Sequence, residues 1–265
     1  MIGLPEIPAN KIRYFLKQHK ITPQKIFNNN FKTITIIVPC YKHQRYLEKC
    51  FESIINQTQK PNEVIFIDDH SPDNTQEIIN ELLQKYGGQL KIKVINNSSN
   101  FGQARSINIG CENTTSDYIM ILNDDDYLYP NAVEKVMNIF TEKPEIALVG
   151  STCTVITNDD SIDNLILKSK DKIDFDNILT VHSPEKVRLY KNYNDLNMSH
   201  SSSTFNKEAW KAAGGYYPDK TKRLCPFSDR DFQLRVGLLY PVGVLLGSPL
   251  TLWRSDSSVD SGLNS

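Results

Sequence analysis

The sequence predicts an α/β protein built on a mostly parallel sheet with helices on both faces. Short β-branched runs recur from residue 33 onward, and each is followed by a segment with helical periodicity. Strands that alternate with helices of roughly 10–15 residues are typical of βαβ units, whose strands run parallel. The chain has 265 residues, of which 39% are apolar, so it can bury a sizeable core.

The predicted elements follow in chain order. Strands are predicted over 33–38, 63–67, 91–95, 117–122 and 145–150. The first helix buries apolar residues at helical spacing from Tyr46 to Ile55. Ser71, Pro72 and Asp73 predict the N-cap and first turn of the second. Further helices are predicted over 102–113, 131–140, 207–215 and 229–239, and short strands over 242–246 and 250–254.

The regular alternation covers only part of the chain. Residues 1–31 are polar and proline-punctuated, and we interpret them as an N-terminal arm and linker. The main domain is expected over 32–255, with an alternating half up to residue 155 and a less regular half from 156. Within the second half, residues 157–200 lack a clear period and predict a loop or lid. Residues 256–265 are left as a tail.

Composition excludes several classes of protein. The 30 basic and 31 acidic residues give a net charge of −1, which implies no general attraction to nucleic acid or anionic membrane. Five widely spaced cysteines without a C-x-x-C pair favour reduced thiols in a cytoplasmic setting. No apolar run approaches the roughly 18 residues of a membrane span, and the N-terminus lacks the apolar stretch of a signal peptide.

Acidic residues cluster where two predicted strands end. Asp68 and Asp69 follow the second strand, and the fourth ends in Asn123 and three consecutive carboxylates, 124–126. In a parallel sheet these ends share the edge at which ligands bind. Adjacent carboxylates repel unless a cation or hydrogen-bond donors offset their charge, so the pattern favours a bound divalent metal. Taken singly, each cluster could instead be a turn with a helix cap or a solvated loop.

Competing nucleotide folds make specific demands on the first strand end. A dinucleotide site needs G-x-G-x-x-G there, and a P-loop needs G-x-x-x-x-G-K-[ST]. The chain has PCYKHQ at that position. A phosphoacceptor receiver domain also has acidic strand ends, but it is about half this length and leaves the later segments unexplained.

The motifs in combination resemble the nucleotide-sugar glycosyltransferases of family 2, which have the GT-A fold, a Rossmann-like sheet with a smaller acceptor-side C-terminal region. The resemblance covers roughly residues 33–255 and rests on VPCYK, EVIFIDDHSPDNT, NFGQARSINIG, DYIMILNDDDYLYP, GGY and DRDFQLR. It implies that 32–155 is the nucleotide-sugar-binding half and that 156–255 is the acceptor and catalytic half.

The resemblance implies nucleotide-binding roles at the strand ends. Pro39 and Tyr41 would line the base pocket, and Asp69, with Asp68 as a second candidate, would accept a hydrogen bond from the base. Gly102 and Arg105 belong to the motif that completes the nucleotide site. Arg105 would supply a positive charge that the family places at Ile107, although it could equally face solvent.

The acidic tip matches the D-x-D element of the family. Asp124 would face the ribose, and Asp125 would hold Mn²⁺ or Mg²⁺ against the diphosphate. Asp126 is a second candidate ligand.

In the C-terminal half, Asp229 falls at the position of the family's catalytic base. A helix cap is the alternative interpretation of this residue, because Asp is favoured at helix N-termini. Asp231 is the nearest rival for the role of base. Gly214 and Gly215 fit a close approach near the donor sugar, and a plain helix stop explains them equally well.

The leading hypothesis is therefore a metal-dependent inverting glycosyltransferase that moves a sugar from a UDP-sugar to a glycan, a lipid-linked saccharide or a protein. It would act in polysaccharide biosynthesis in the cytoplasm or at the inner face of the membrane. Departures from the family at Asn123, Ser228 and Asp256 support a second hypothesis, a catalytically silent nucleotide-sugar-binding domain. A third, a nucleotidyltransferase, would need a basic, glycine-rich loop after the first strand.

Overall fold

A computed structural model describes residues 33–157, 162, 165, 179–184 and 196–255. The predicted N-terminal arm, the C-terminal tail and most of the 157–200 segment lie outside the described residues. Asp256, one of the departures from the family, also lies outside them.

The first half of the domain is built from four parallel strands. Strand β1 covers Ile34–Cys40, β2 Glu63–Asp68, β3 Ile92–Asn96 and β4 Tyr118–Ile121. Strand β1 lies between β2 and β4 and is buried along its whole length, which explains its unbroken apolar, β-branched sequence. These strands correspond to the first four of the predicted strands.

Four helices connect these strands and follow them. Helix α1 covers Gln44–Ile55, α2 Thr75–Tyr86, α3 Gln103–Asn113 and α4 Ala132–Glu142. Helix α2 begins later than the Ser71–Asp73 cap predicted, and that prediction was wrong. Residue 71 belongs instead to a turn, because its backbone N–H donates to Oδ1 of Asp68 at 3.0 Å.

The rest of the domain adds shorter strands and two helices. The strands are β5 Tyr127–Leu128, β6 Leu148–Ser151, β7 Cys153–Ile156, β8 Leu179–His182, β9 Thr204–Asn206, β10 Val242–Leu245 and β11 Thr251–Arg254. Helix α5 covers Lys207–Ala212 and α6 Ser228–Leu239, with a 3₁₀ turn over Lys220–Lys222 between them.

In the described part of the chain, the main sheet has the strand order β3-β2-β1-β4-β9-β6-β10-β8. Strand β9 runs antiparallel to both β4 and β6, and β8 runs antiparallel to β10. The remaining pairs are parallel, so the predicted mostly parallel sheet is confirmed. A second, three-stranded sheet has the order β5-β11-β7.

Helices cover the main sheet on both faces. Side chains of α1, α2 and α4 pack on one face in a cluster that includes Phe51, Phe66 and Phe140. Side chains of α3, α5 and α6 pack on the other in a cluster centred on Phe205 and Phe232. With its core filled in this way, the molecule leaves the carboxyl-terminal edge of the sheet as the open side.

Candidate active site

The carboxyl ends of β1 and β2 lie side by side, because Cys40 pairs with Asp68 in the parallel register. Strand β4 flanks β1 on its other side. The loops that follow these strands therefore meet at one edge of the sheet, as expected for a parallel α/β fold. They enclose a cleft of about 260 Å³, lined by Pro39, Cys40, Tyr41, His43, Asp69, Asn100, Gly102, Gln103, Ser106 and Asp124.

Asp69 lies at the base of this cleft with only 3% of its surface exposed. Its Oδ1 accepts hydrogen bonds from Asn97 Nδ2 at 2.7 Å and from the Phe101 N–H at 2.8 Å. Its Oδ2 accepts one from the Gly102 N–H at 2.7 Å. An ionised carboxylate has about four acceptor sites, so one remains for a ligand. Asp69 thus shapes the 97–102 loop as well as the cleft.

Asp124 is the second buried carboxylate of the cleft, with 4% of its surface exposed. Its Oδ2 accepts from the Tyr41 N–H at 2.9 Å, and His43 Nδ1 lies 2.8 Å from its Oδ1. Burial raises the pKa of Asp124 to about 6, and the hydrogen bond from His43 opposes that rise. The imidazole therefore stabilises the ionised carboxylate.

His43, Asp124 and Asp125 form a group in which one ligand atom from each residue lies within 4.8 Å of the others. Two carboxylates with an imidazole are a donor set that Mn²⁺ accepts, and the carboxylate oxygens also suit Mg²⁺. Asp125 is half-buried, whereas its neighbours Asp124 and Asp126 are buried. The residues present thus fit the divalent cation that the sequence predicted.

Asp126 is fully buried and holds other parts of the chain. Its Oδ2 accepts from Ser201 Oγ at 2.5 Å and from Asn123 Nδ2 at 3.3 Å, and its Oδ1 accepts from the Arg254 N–H at 2.9 Å. Burial and the adjacent Asp125 raise its pKa to about 8, and these donors oppose the rise. Asp125 thus belongs to the candidate metal-binding group, whereas Asp126 connects its loop to Ser201 and Arg254.

Residues 199–203, which we call the serine turn, lie between the acidic loop, residues 123–126, and α6. Ser202 has a left-handed backbone with φ of 72°, and its N–H donates to the Ile121 carbonyl at 2.7 Å. Gln233 of α6 donates to Ser203 Oγ at 3.0 Å. The turn therefore connects β4, which carries the acidic tip, to the helix that carries Asp229.

Asp229 lies in the first turn of α6 and is partly exposed. Its charge acts on His200 of the serine turn, whose Nε2 lies 3.3 Å from the Tyr216 hydroxyl. Burial lowers the pKa of His200 more than Asp229 raises it, which favours a neutral imidazole. Asp229 is not among the residues that line the cleft, and as a partly exposed carboxylate it has the chemistry of a proton acceptor.

Asp231 does not reach the site. It is fully buried, and its Oδ2 accepts from Arg235 Nε at 3.0 Å and Nη2 at 2.7 Å. Its Oδ1 accepts from the Leu224 N–H at 2.6 Å. Both oxygens are therefore engaged within the protein, in a buried ion pair and a contact with the loop before α6, which favours Asp229 over Asp231 as the candidate base.

Gly214 and Gly215 form the turn after α5, and both have positive φ angles, 78° and 68°. A Cβ at Gly215 would lie 2.8 Å from Asn108 Oδ1. Asn108, on α3, also accepts from the Tyr216 N–H at 2.9 Å and donates to the Tyr216 carbonyl at 2.7 Å. The two glycines thus let the chain pass close to α3 and fix Tyr216 beside His200.

Five of the predicted nucleotide-binding residues line the cleft: Pro39, Tyr41, Asp69, Gly102 and Asp124. Two do not. Asp68 is buried and its carboxylate holds the turn at Ser71. Arg105 is exposed, with its guanidinium 5.0 Å from the centre of the Phe101 ring. Its position agrees with the solvent-facing alternative considered for it.

Sequence reasoning missed His43, Gln103 and His200. Two of them were detectable by position, because His43 follows β1 and Gln103 begins α3, both at the ligand-binding edge. His200 gave no such signal. It lies in an irregular serine-rich stretch before a three-residue strand, β9, which hydrophobic periodicity does not reveal.

A match to a family model identifies the class of protein that this fold and site define. The model for glycosyl transferase family 2 matches residues 35–209, and the chain belongs to that family.

Curated relatives agree. An uncharacterized glycosyltransferase of Haemophilus influenzae is 29% identical over 172 residues, which are 62% of this chain and 68% of that protein. The hyaluronan synthase of Pasteurella multocida is 33% identical over 158 residues, which are 59% of this chain but only 16% of the synthase. The chain thus spans a small part of the larger relatives it matches.

Solved structures show the same fold. TarS of S. aureus has been crystallised alone, with UDP and with UDP-GlcNAc. Each of these structures matches 84% of this chain, with a TM-score of 0.62 and 16% sequence identity. The match covers 60% of the TarS chain in the structure without ligand. A mannosyltransferase of Pyrobaculum calidifontis, in complex with GDP-Man and Mn²⁺, has a TM-score of 0.58 at 16% identity and covers 89% of this chain and 64% of its own. These likenesses establish the GT-A fold.

In the part of the chain that the structure describes, no helix has the length and apolar character needed to span a bilayer.

Proposed function

We propose that this protein is a metal-dependent inverting glycosyltransferase that uses a UDP-sugar. The observation that carries the proposal is that Asp69 and Asp124 line one cleft at the ligand-binding edge of the sheet, and that Asp125 shares a candidate metal-binding group with Asp124. Each carboxylate has a different environment there, which suits three different tasks toward one nucleotide sugar.

The donor side rests on Asp69. Its free acceptor site lies in a cleft of nucleoside-ring size and suits the N–H of a uracil ring. TarS, which shares the fold, has been crystallised with UDP and UDP-GlcNAc, whereas the mannosyltransferase was crystallised with GDP-Man. Asp69 could accept from the N–H groups of uracil or of guanine, so the choice of UDP rests on the UDP and UDP-GlcNAc complexes of TarS.

The metal side rests on Asp125, with Asp124 and His43 beside it. Asp125 and Asp124 would hold Mn²⁺ or Mg²⁺, with His43 positioning Asp124, and such a cation would offset the negative charge of the diphosphate. Asp124 has its carboxylate fixed by the Tyr41 N–H and His43, so it is oriented before any ligand arrives. We assign Asp124 to both the ribose and the cation. Asp126 keeps a structural role, as the acceptor for donors of Ser201 and Arg254.

The acceptor side rests on Asp229. Its carboxylate takes the proton of an acceptor hydroxyl while the oxygen forms a bond to the anomeric carbon of the donor. In the same step the bond between that carbon and the UDP oxygen breaks, and UDP leaves with the electron pair. One displacement of this kind inverts the anomeric configuration. The acceptor is a glycan, a lipid-linked saccharide or a protein, and the reaction belongs to polysaccharide biosynthesis.

Calorimetry of UDP binding tests the donor and metal assignments. We expect UDP to bind the parent protein more tightly with Mn²⁺ than with a chelator, and Asp125→Asn to lose that difference. Glu48→Gln, an exposed substitution on α1, is the matched control and should keep it. Equal manganese dependence in Asp125→Asn and the parent would contradict the metal assignment.

The silent nucleotide-sugar-binding domain remains the second candidate, because the family's Glu is replaced by Ser228 next to Asp229 and an Asn stands at position 123. Asn123 is used structurally, since its Oδ1 accepts from Gln103 at 3.0 Å beside the cleft. A silent domain would bind UDP-sugars and release no UDP. Turnover therefore separates the two candidates.

A further inference from the structure

Strand β11 carries an exposed tryptophan between two residues that hold the active site. Thr251 Oγ1 donates to the Ser201 carbonyl at 3.0 Å, within the serine turn. Three residues later, the Arg254 N–H donates to Asp126 Oδ1 at 2.9 Å, within the acidic loop. Trp253 lies between these two anchors, and 41% of its surface is exposed. A large apolar side chain is thus open to solvent next to the site.

The direction of Trp253 follows from the alternation of side chains along a strand. Thr251 and Trp253 share one face of β11, and Thr251 uses that face to contact the serine turn. The neighbouring strand β7 repeats the arrangement, because Cys153 pairs with Thr251 and Val155 pairs with Trp253. The face that carries Trp253 is therefore the face that meets the serine turn.

Contacts of β6 and β7 support this orientation. The Ser199 N–H donates to the Ser151 carbonyl at 2.8 Å, and the Cys153 side chain shares a hydrogen bond with Ser199. Val155, one pair further along the strands, is 55% exposed. Trp253 and Val155 thus form a continuous apolar platform, which begins about 7 Å along the strand from the residues that contact the serine turn.

The serine turn also contains His200, on which the charge of Asp229 acts. The platform therefore lies on the face of β11 and β7 that meets the serine turn, and its two residues are not among those that line the nucleotide cleft. Isolated exposed apolar residues are common on protein surfaces. Here an indole and a valine are paired in register on strands that contact the turn carrying His200, so the pair is not an isolated surface residue.

We propose that Trp253 and Val155 form a subsite that binds a sugar ring of the acceptor. A pyranose presents a face of C–H groups, and an indole offers a rigid apolar surface that such a face covers at low entropic cost. The occupant is a neutral glycosyl residue next to the attacking hydroxyl in the acceptor. This inference rests on the proposed function. It adds a binding site for part of the acceptor, about which the nucleotide cleft gives no information.

Fluorescence tests the subsite without any transfer reaction. The chain has two tryptophans, and Trp210 is buried, so acrylamide quenching reports mainly on Trp253. The probes are oligosaccharides of three to six glucose, galactose or N-acetylglucosamine units. We expect at least one probe to protect the tryptophan fluorescence of the parent from quenching. In Trp253→Phe, the probe should no longer change the quenching. Absence of protection by every probe would overturn the subsite.

Steady-state kinetics give the second test, with the protecting saccharide as acceptor. Trp253→Ala should raise the acceptor KM about ten-fold or more, from the loss of apolar surface that the sugar would cover. Trp253→Phe should bring the acceptor KM most of the way back to the parent value. The KM for the UDP-sugar should stay unchanged in both variants. Val181→Ala, an equally exposed apolar residue on the edge strand β8, is the control.

The two failures are distinguishable. A parent protein that binds no UDP-sugar by calorimetry contradicts the proposed function. A parent that binds the donor, with an acceptor KM unchanged in Trp253→Ala, overturns the subsite alone.

Discussion

The imidazole Nδ1 of His43 lies 2.8 Å from Oδ1 of Asp124, and the Tyr41 N–H donates to the other carboxylate oxygen. The loop after β1 thus holds the carboxylate that ends β4. Because an ionised carboxylate only accepts hydrogen bonds, Nδ1 carries the proton in this contact. His43 is a positioning residue for Asp124, and its effect should be visible in nucleotide binding.

His43→Ala should weaken binding of UDP in the presence of Mn²⁺ by about 1–3 kcal/mol, because a buried carboxylate loses one of its donors. His43→Asn should recover much of the affinity, since its amide N–H can replace Nδ1–H. Binding of UDP with a chelator should change less. Calorimetry on the three proteins measures all of these values. If both variants bind like the parent, His43 has no positioning role.

Asp69→Asn should affect both the cleft and the loop that lines it. The new amide group would oppose a backbone N–H at the position where Gly102 now donates. We expect UDP binding and the free energy of unfolding each to fall by about 1–3 kcal/mol. Calorimetry and urea denaturation give the two values, with Asp73→Asn as a control in the next turn. Normal UDP affinity in a destabilised protein would restrict Asp69 to a structural role.

Asp126→Ala should reduce stability while leaving the metal affinity of the folded protein intact. Three donors on Ser201, Asn123 and Arg254 would lose a buried acceptor, so we expect the free energy of unfolding to fall by about 2–4 kcal/mol. Asp126→Asn should cost less, because its amide oxygen still accepts. Lost Mn²⁺ affinity with unchanged stability would instead make Asp126 a metal ligand.

Gly215→Ala should destabilise the turn that fixes Tyr216. An alanine there would be strained at φ of 68°, and its Cβ would lie 2.8 Å from Asn108 Oδ1. We expect a loss of about 1–3 kcal/mol in the free energy of unfolding. Gly88→Ala, where the added Cβ meets no atom within 4 Å, should stay close to the parent. Equal stability of the two variants would show that the close approach carries no cost.

The fold was largely predictable because its buried parallel strands are long apolar runs. Strand β1 is buried at every residue, and the sequence marks it without ambiguity. Strand β9 escaped prediction because only three residues pair, two of them polar, and its burial comes from neighbours distant in the chain. The start of α2 was misplaced because Ser71 resembles a helix cap but serves the turn after β2.

The sequence indicates where the candidate site lies, but it does not indicate the role of each residue there. Strand ends locate Asp69, Asp124 and Asp125 from sequence alone, since topology brings them to one edge. The different contacts of the consecutive carboxylates 124–126 depend on the direction in which each side chain points. That direction is set by Ser201 and Arg254, which contact Asp126 from 75 and 128 residues away along the chain.

Transfer of the sugar by Asp229 is the central claim, and release of UDP from UDP-sugars in the presence of Mn²⁺ and a mixed glycan acceptor pool tests it most directly. Asp229→Asn keeps the shape of the side chain and removes the proton acceptor. We expect normal UDP binding and a fall in UDP release of about 10²–10⁴-fold. A helix cap would tolerate the change, because Asn caps almost as well as Asp. Full activity in Asp229→Asn, or UDP binding without turnover in the parent, would contradict the account.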